Sequence, residues 1–285
     1  MKRREGDALI VPNQGLGDHT EHNGMVRYIS KTYEGNIYYF VANHQFLETI
    51  KWMYRDDAKI KVVGLDMPNL PPFSDARAKF LDLKIRELVW WSDSNRIGFA
   101  KFGEQQSGKN GEISANQHQP WMDEATKFTA VSATHHGWSK RYEPLLYGLA
   151  YYHTAGIPYQ VKFDDFYLKR NHEEEDRVYK KLNPNNDKYV FVHSGRRSIR
   201  LNTKYKVIEN DPTENIFYQI KLMEKAEEIH CMSSCVMLLV DCLASSPIKT
   251  PLSEKPLFFH WYIRRRKIDD NHGRDYLGSK WEILY

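Results

Sequence analysis

A chain of 285 residues is long enough to bury a substantial core, in one large domain or two small ones. Its 41 Lys and Arg against 37 Asp and Glu leave a net charge of +4, too small to imply nucleic acid as a partner. The most apolar run, residues 236–243 (VMLLVDCL), is too short to span a bilayer, and the start MKRREGDALIVP lacks the apolar core of a secretory signal, which together predict a cytoplasmic protein with no transmembrane segment.

In chain order, residues 8–12 (ALIVP) predict a buried strand, followed by the turn-rich NQGLGD of 13–18. A helix is expected over about 23–32, with Met25, Ile29 and Tyr33 at helical spacing. Residues 36–42 read as a strand, 46–54 as a helix and 60–64 as a third strand. Strand, helix, strand, helix, strand is the pattern of a parallel α/β sheet.

The middle is less regular. Residues 87–91 (ELVWW) predict a strand, the polar stretch 103–119 a loop and candidate lid, and 121–152 helices with inward aromatics. The α/β pattern then resumes, with strands expected at 188–193 and 205–208. The sequence DPTE at 211–214 has an N-cap candidate, Pro at N1 and an acid at N3, so a helix is expected to start at Asp211. Ile216, Phe217, Ile220, Met223 and Ala226 form its apolar stripe. A strand at 228–232, a buried helix at 234–243 and a strand at 256–260 complete the pattern. The chain therefore divides into two α/β units, placed at 1–155 and 156–285.

Cys231, Cys235 and Cys242 are the three cysteines, and their spacings of four and seven predict similar faces of one helix. With no partner elsewhere they suit a reducing compartment. His19 and His22, or the adjacent His135 and His136, have spacing for a metal pair, but no third ligand completes a pattern. No P-loop, GxGxxG or GxSxG is present, which argues against ATPases, classical dehydrogenases and serine hydrolases. Arg264-Arg265-Arg266-Lys267 reads as a solvated basic face or a phosphate contact. The many Tyr and Trp residues suit either core packing or contact with flat ligands such as sugars.

Ligands of open α/β sheets sit beyond the carboxyl ends of the strands, and three stretches fall there. Gly15 and Gly17 permit a tight turn, and Asp18 is either a general base or a helix cap. His193, Ser194, Arg196, Arg197 and Arg200 follow a strand, with Gly195 at the turn. Arginine forks bind phosphate in bidentate fashion, though the same loop could pair with Glu209 or Asp211 instead. His230, Ser233 and Ser234 end a strand and open a helix, where hydroxyls and free N–H groups either make an anion site or cap the helix. The arginines and serines together favour a diphosphate.

A first strand followed by Gly15-Leu16-Gly17-Asp18 resembles the N-terminal motif of the heptosyltransferase-like glycosyltransferases. The strand ending at His193 with Arg196 and Arg197, followed by His230 and the Ser233–Ser234 pair, resembles the donor half of GT-B enzymes, including the α1,6- and protein-O-fucosyltransferases. The resemblance implies a GT-B fold, two Rossmann-like parallel-sheet domains facing a cleft, with an N-terminal acceptor domain and a C-terminal donor domain. It implies a glycosyltransferase of glycan biosynthesis that moves a sugar from a nucleotide-diphosphate sugar to a glycan, polysaccharide or other hydroxyl acceptor, with Asp18 as catalytic base. Gly15, Gly17, His193, Ser194, Arg196, Arg197, His230, Ser233 and Ser234 would then serve the donor. Inversion at the anomeric carbon, with no metal or cofactor, follows from the same resemblance. A nucleotide-sugar epimerase, and a non-catalytic glycan- or nucleotide-binding protein on a degenerate transferase scaffold, are the alternatives.

Overall fold

The apolar runs of the sequence become parallel strands, because a strand covered on both faces needs no polar alternation. The computed structural model describes residues 7–11, 15–41, 44–64, 85–91, 129–133, 152, 157–195, 199–261, 277–278 and 281–284. They form two compact units that divide between Tyr167 and Leu168, later in the chain than residue 155.

In the first unit β1 (Asp7–Val11), α1 (Leu16–Thr32), β2 (Ile37–Val41), α2 (Leu47–Tyr54) and β3 (Ile60–Gly64) follow one another, as the pattern predicts. β4 (Ile85–Trp91) and β5 (Thr129–Ala133) complete a five-stranded sheet of order β3-β2-β1-β4-β5, and every pairing is parallel. β5 corrects the expectation of helices across 121–152 for those five residues, whose run is too short for a helical period to show. The remainder of that stretch, apart from Tyr152, lies outside the described residues, as do the 103–119 loop, His135, His136 and residues 264–267.

α1 starts at Leu16, well before the expected Asn23, so only Gly15 lies outside it and Gly17 is helical. Residues 19–27 are buried without a break although most are polar. The segment 152–167 supplies the reason. Tyr152 inserts its hydroxyl into the helix ladder, accepting from Met25 N–H at 3.0 Å and donating to the Glu21 carbonyl at 2.9 Å. Lys162 forms a buried ion pair with Glu21 at 2.9 Å, and Asn23 Oδ1 accepts the Tyr167 N–H at 3.0 Å. At the other end Arg27 clamps Asp56 through both guanidinium nitrogens at 2.8 Å. The 152–167 segment, with its short helix α3 (Val161–Asp164), therefore belongs to the first unit.

The second unit contains α4 (His172–Leu182), β6 (Tyr189–His193), β7 (Lys206–Glu209), α5 (Ile220–Lys225), β8 (Glu228–Cys231), α6 (Cys235–Ser245), β9 (Leu257–His260) and β10 (Trp281–Leu284). Its all-parallel sheet has the order β10-β9-β8-β6-β7. The expected helix start at Asp211 is not the one used. Asp211 instead accepts the Thr213 N–H at 2.9 Å, while the Gln219 amide holds both its N–H and its carbonyl. Asn215 caps a single 3-10 turn (Ile216–Gln219) that leads into α5, and the predicted stripe from Ile216 to Ala226 is buried. Cys231 ends β8 while Cys235 and Cys242 lie on α6, so the three thiols do not share one helix. The aspartate in the apolar run has a structural partner: Asp241 is buried and accepts from Trp281 Nε1 at 3.0 Å, tying β10 to α6.

α4 is laced to residues 211–214 by exposed charge pairs. Lys181 and the Thr213 hydroxyl hold Asp211 down to about 2, and Arg177 and Lys181 do the same for Glu214. A carboxyl depressed in the folded state stabilises it above the unfolded value near 4 and loses that contribution as the pH falls toward 2. Urea midpoints are therefore expected to drop between pH 4.5 and 2.5, less so in 1 M salt, which screens exposed pairs. Glu214→Gln should flatten that drop, and an unchanged slope in the variant would dismiss the network as its source.

Among the described residues no helix is long and apolar enough to cross a membrane.

Candidate functional site

In each sheet the chain leaves one strand toward one side and later returns to pair on its other side. In the first unit this reversal occurs at β1, between β2 and β4; in the second it occurs at β6, between β7 and β8. The carboxyl ends of the strands at such a reversal open a crevice, because the connecting segments diverge to opposite faces. Two of the three sequence-selected stretches converge on the second crevice and the other sits at the first.

At the first crevice, Gly15 is the extended residue before α1 and Asp18 is the third residue of the helix. Asp18 Oδ2 accepts the Gly15 N–H at 3.1 Å, reaching back to a donor that the helix leaves unpaired. A Cβ at residue 15 would lie 2.8 Å from that oxygen, so a larger residue there would displace the carboxylate. The carboxylate is half-buried. Asp18 thus does the capping work foreseen for it, from N3 rather than from the N-cap.

His19 and His22 are buried in the unit. His19 Nδ1 shares a 2.8 Å hydrogen bond with the Tyr39 hydroxyl, and burial pushes His19 and His22 each down to about 3. Among the described residues no group of three or more His, Cys, Asp or Glu is placed to hold a metal.

At the second crevice β6 and β8 run side by side with His193 opposite Cys231, and the Met232 N–H donates to the His193 carbonyl at 3.0 Å. This register sets the residues after His193 beside those after Cys231. His193 Nδ1 bonds Asn210 Oδ1, which fixes the ring at the strand end. Ser194 is buried. Gly195 has φ of +60°, in the left-handed region that favours glycine, and a Cβ there would lie 2.9 Å from Met232 Sδ. Ser234 caps α6, its hydroxyl accepting the Met237 N–H at 3.2 Å, and Ser233 is half-buried just before it. Arg196 and Arg197 lie outside the described residues, and Arg200 is exposed.

His230 is placed differently from its companions. It lies within β8, stacked on Phe258 with ring centroids 4.6 Å apart. Its nitrogens meet His260 at 3.0 Å and Glu228 at 3.1 Å, so both polar atoms are engaged on the face of the sheet. Burial lowers His230, against the opposing pull of Glu228, and lowers His260 to about 4. The residues that sequence reasoning missed are Tyr39, Asn210 and Met232. Each touches a selected residue from a strand or loop distant in sequence, a relation that no local pattern carries.

Compared with solved structures, the chain matches a glycosyl transferase family 9 protein from Veillonella parvula with a TM-score of 0.57 and 8% identity, covering 100% of this chain and 87% of that one. It also matches the ADP-heptose lps heptosyltransferase II of E. coli with a TM-score of 0.55 and 8% identity, covering 98% and 90% of the two chains. The chain shares their fold. The expected α/β class with parallel sheets in a GT-B chain is therefore observed. No protein-family profile matches the sequence, and no curated protein is similar to it.

Proposed function

We propose that this chain is a glycosyltransferase that takes a sugar from a nucleotide-diphosphate sugar and passes it to a hydroxyl of a glycan or polysaccharide. The observation that carries the proposal is the placement of the selected stretches at the carboxyl-end crevices of two sheets, in a chain whose fold is shared with two glycosyltransferases.

In this reading Asp18 takes the proton of the acceptor hydroxyl as its oxygen attacks the anomeric carbon, while the bond to the nucleotide diphosphate breaks. Configuration inverts, since one displacement occurs. The departing diphosphate gains charge, which the N-terminus of α6, the hydroxyls of Ser233 and Ser234, and the cations of Arg196 and Arg197 would stabilise. His193 and Ser194 flank the same crevice, with Gly195 letting the backbone turn. Gly15 leads into α1 as its extended N-cap, and Gly17 lies within the helix beside Asp18. His230 serves the donor through the face of the sheet rather than by direct contact, since its nitrogens are already bonded. No metal or cofactor is assigned a role, and cytoplasmic nucleotide sugars are the fitting donor pool.

A thermal-shift screen against UDP, GDP, ADP, CMP and dTDP, with and without EDTA, tests the donor. A shift with one nucleoside diphosphate that survives EDTA and disappears in Arg197→Ala is expected, because a ligand that binds only the folded state raises its stability. No shift with any of them would overturn the donor assignment. Asp18→Asn should keep the shift and lose transfer by about 10²–10⁴-fold, the usual contribution of a general base. Undiminished transfer in that variant would remove Asp18 from the chemistry. Donor turnover that needs no acceptor would instead favour an epimerase.

A further inference from the structure

The side chain next to Asp18 is unusually well fixed. His19 is fully buried, as is Tyr39 on β2, and they share the 2.8 Å hydrogen bond between the imidazole Nδ1 and the hydroxyl. Their rings also meet edge to face, with centroids 5.6 Å apart. The other imidazole nitrogen, Nε2, is buried with no hydrogen-bond partner among the described residues, so Tyr39 is the polar anchor of this ring. Tyr39 is itself held against Tyr54 of α2, with ring centroids 5.2 Å apart.

Successive residues of a helix are separated by a fixed rotation of about 100°. Whatever fixes the direction of residue 19 therefore fixes the direction of residue 18. The His19–Tyr39 bond ties the first turn of α1 to β2, while Tyr152 and Lys162 meet the helix from Glu21 onward and Arg27 holds it further along. We propose that the His19–Tyr39 hydrogen bond is a positioning pair that sets the rotation of the first turn of α1 and so aims the Asp18 carboxylate. The proposal rests on the reading of Asp18 as the base. His19 is uncharged across the neutral range, which keeps a cation away from the carboxylate that must accept a proton. Asp18 in turn adds to the upward push that burial gives Tyr39, as expected of a carboxylate close to the pair.

The test uses the full chain with glycine labelled in 15N. The Gly15 amide donates to Asp18 and should shift with pH as that carboxyl titrates; Asp18→Asn abolishes the response and serves as the control. The signal is assignable, because Gln14–Gly15 is the one Gln–Gly pair in the sequence. Two substitutions at one position separate positioning from packing. In His19→Asn the amide reaches the place of Nδ1 and can still bond Tyr39, whereas in His19→Gln it reaches the place of Nε2 and cannot. Gln is closer to His in volume, so a packing role would favour it.

The expected result is a Gly15 response retained in His19→Asn and lost in both His19→Gln and Tyr39→Phe. With the donor found by the nucleotide screen, kcat should follow the same order, falling about 10-fold to 100-fold in the last two at unchanged donor KM. In an Asp18→Asn background, Tyr39→Phe should cause no further loss. A Gly15 response that survives in His19→Gln overturns the inference, and the histidine pair of variants decides it even if Tyr39→Phe does not fold. Failure of the base reading looks different: transfer would persist in Asp18→Asn whatever the Gly15 amide does.

Discussion

Lowering the pH from 7 to 5 is expected to remove on the order of 4 kcal/mol of folding stability, because His19 and His22 are buried uncharged in α1. Burial drives both down to about 3 in the folded chain, from an ordinary value of 6.5, and the neighbouring ring pushes His22 further in the same direction. The sign follows from where protons bind. Between 6.5 and about 3 the unfolded chain takes up a proton at each imidazole and the folded chain does not. Stability is therefore complete above 6.5 and declines as the pH falls through that window. At pH 5 each histidine contributes a loss of about 2 kcal/mol, against a total stability of about 5–15 kcal/mol for a typical protein. His260, lowered to about 4, acts in the same direction in the second unit. Urea unfolding at pH 7.5, 6.5, 5.5 and 5.0 would show the decline, and His22→Gln should make it shallower. A flat profile over that range would mean that these rings are hydrated or charged in the folded protein. The histidine window overlaps that of Asp211 and Glu214 below about pH 4.5, so the readings from pH 7.5 to 5.0 isolate the histidines, and below that the Glu214→Gln comparison isolates the carboxylates.

Replacing Gly24 by alanine should destabilise the first unit by about 2–3 kcal/mol, although alanine is the better helix former by about 1 kcal/mol. A Cβ at residue 24 would lie 2.4 Å from the Val161 carbonyl oxygen, 2.7 Å from that of Lys162 and 2.9 Å from its carbonyl carbon. All three are backbone atoms, so no rotamer change relieves the clash and the whole 157–167 segment must move away from α1. That movement would pull on the Glu21–Lys162 pair and on the Tyr167 N–H held by Asn23. Losing a partner from a buried ion pair is itself strongly unfavourable. Chemical denaturation of Gly24→Ala should show a lower midpoint at an unchanged slope. A midpoint equal to or above the native one would show that α1 and this segment are not packed as closely as these distances require.

Both predictions concern α1, the element the sequence reads least well. The GLGD stretch looks like a turn, and helical periodicity becomes visible only from Met25 onward. Leu16 to Asn23 nevertheless continue the helix, because the side chains of His19 and Glu21 find buried partners in Tyr39, Tyr159 and Lys162, and Tyr152 bonds the Glu21 carbonyl. At Asp211 the local grammar of a helix start is complete, yet the Gln219 amide captures that backbone and Asn215 becomes the cap. The cysteine spacing misleads on its own, since the strand expected at 228–232 already separates Cys231 from the helix that carries Cys235 and Cys242, as observed.

The crevice residues divide along the same line. The sequence places Gly15, Asp18, His193, Ser194, Ser233 and Ser234 just past strand ends, because a buried parallel strand is a short apolar run and its exit is marked by small or polar residues. His230 shows the limit, for only the neighbouring β9 reveals that Phe258 and His260 occupy it.

By itself, the sequence determined most of the strands and their parallel α/β pattern, though not β5 or β10, since each of the strands it did mark depends on side chains a few positions apart. The tertiary structure alone decided the strand order, the division between Tyr167 and Leu168, and the long buried course of α1. These depend on polar groups that must be paired once water is excluded, and the partners come from residues more than a hundred positions away, as Tyr152 does for Glu21 and Met25.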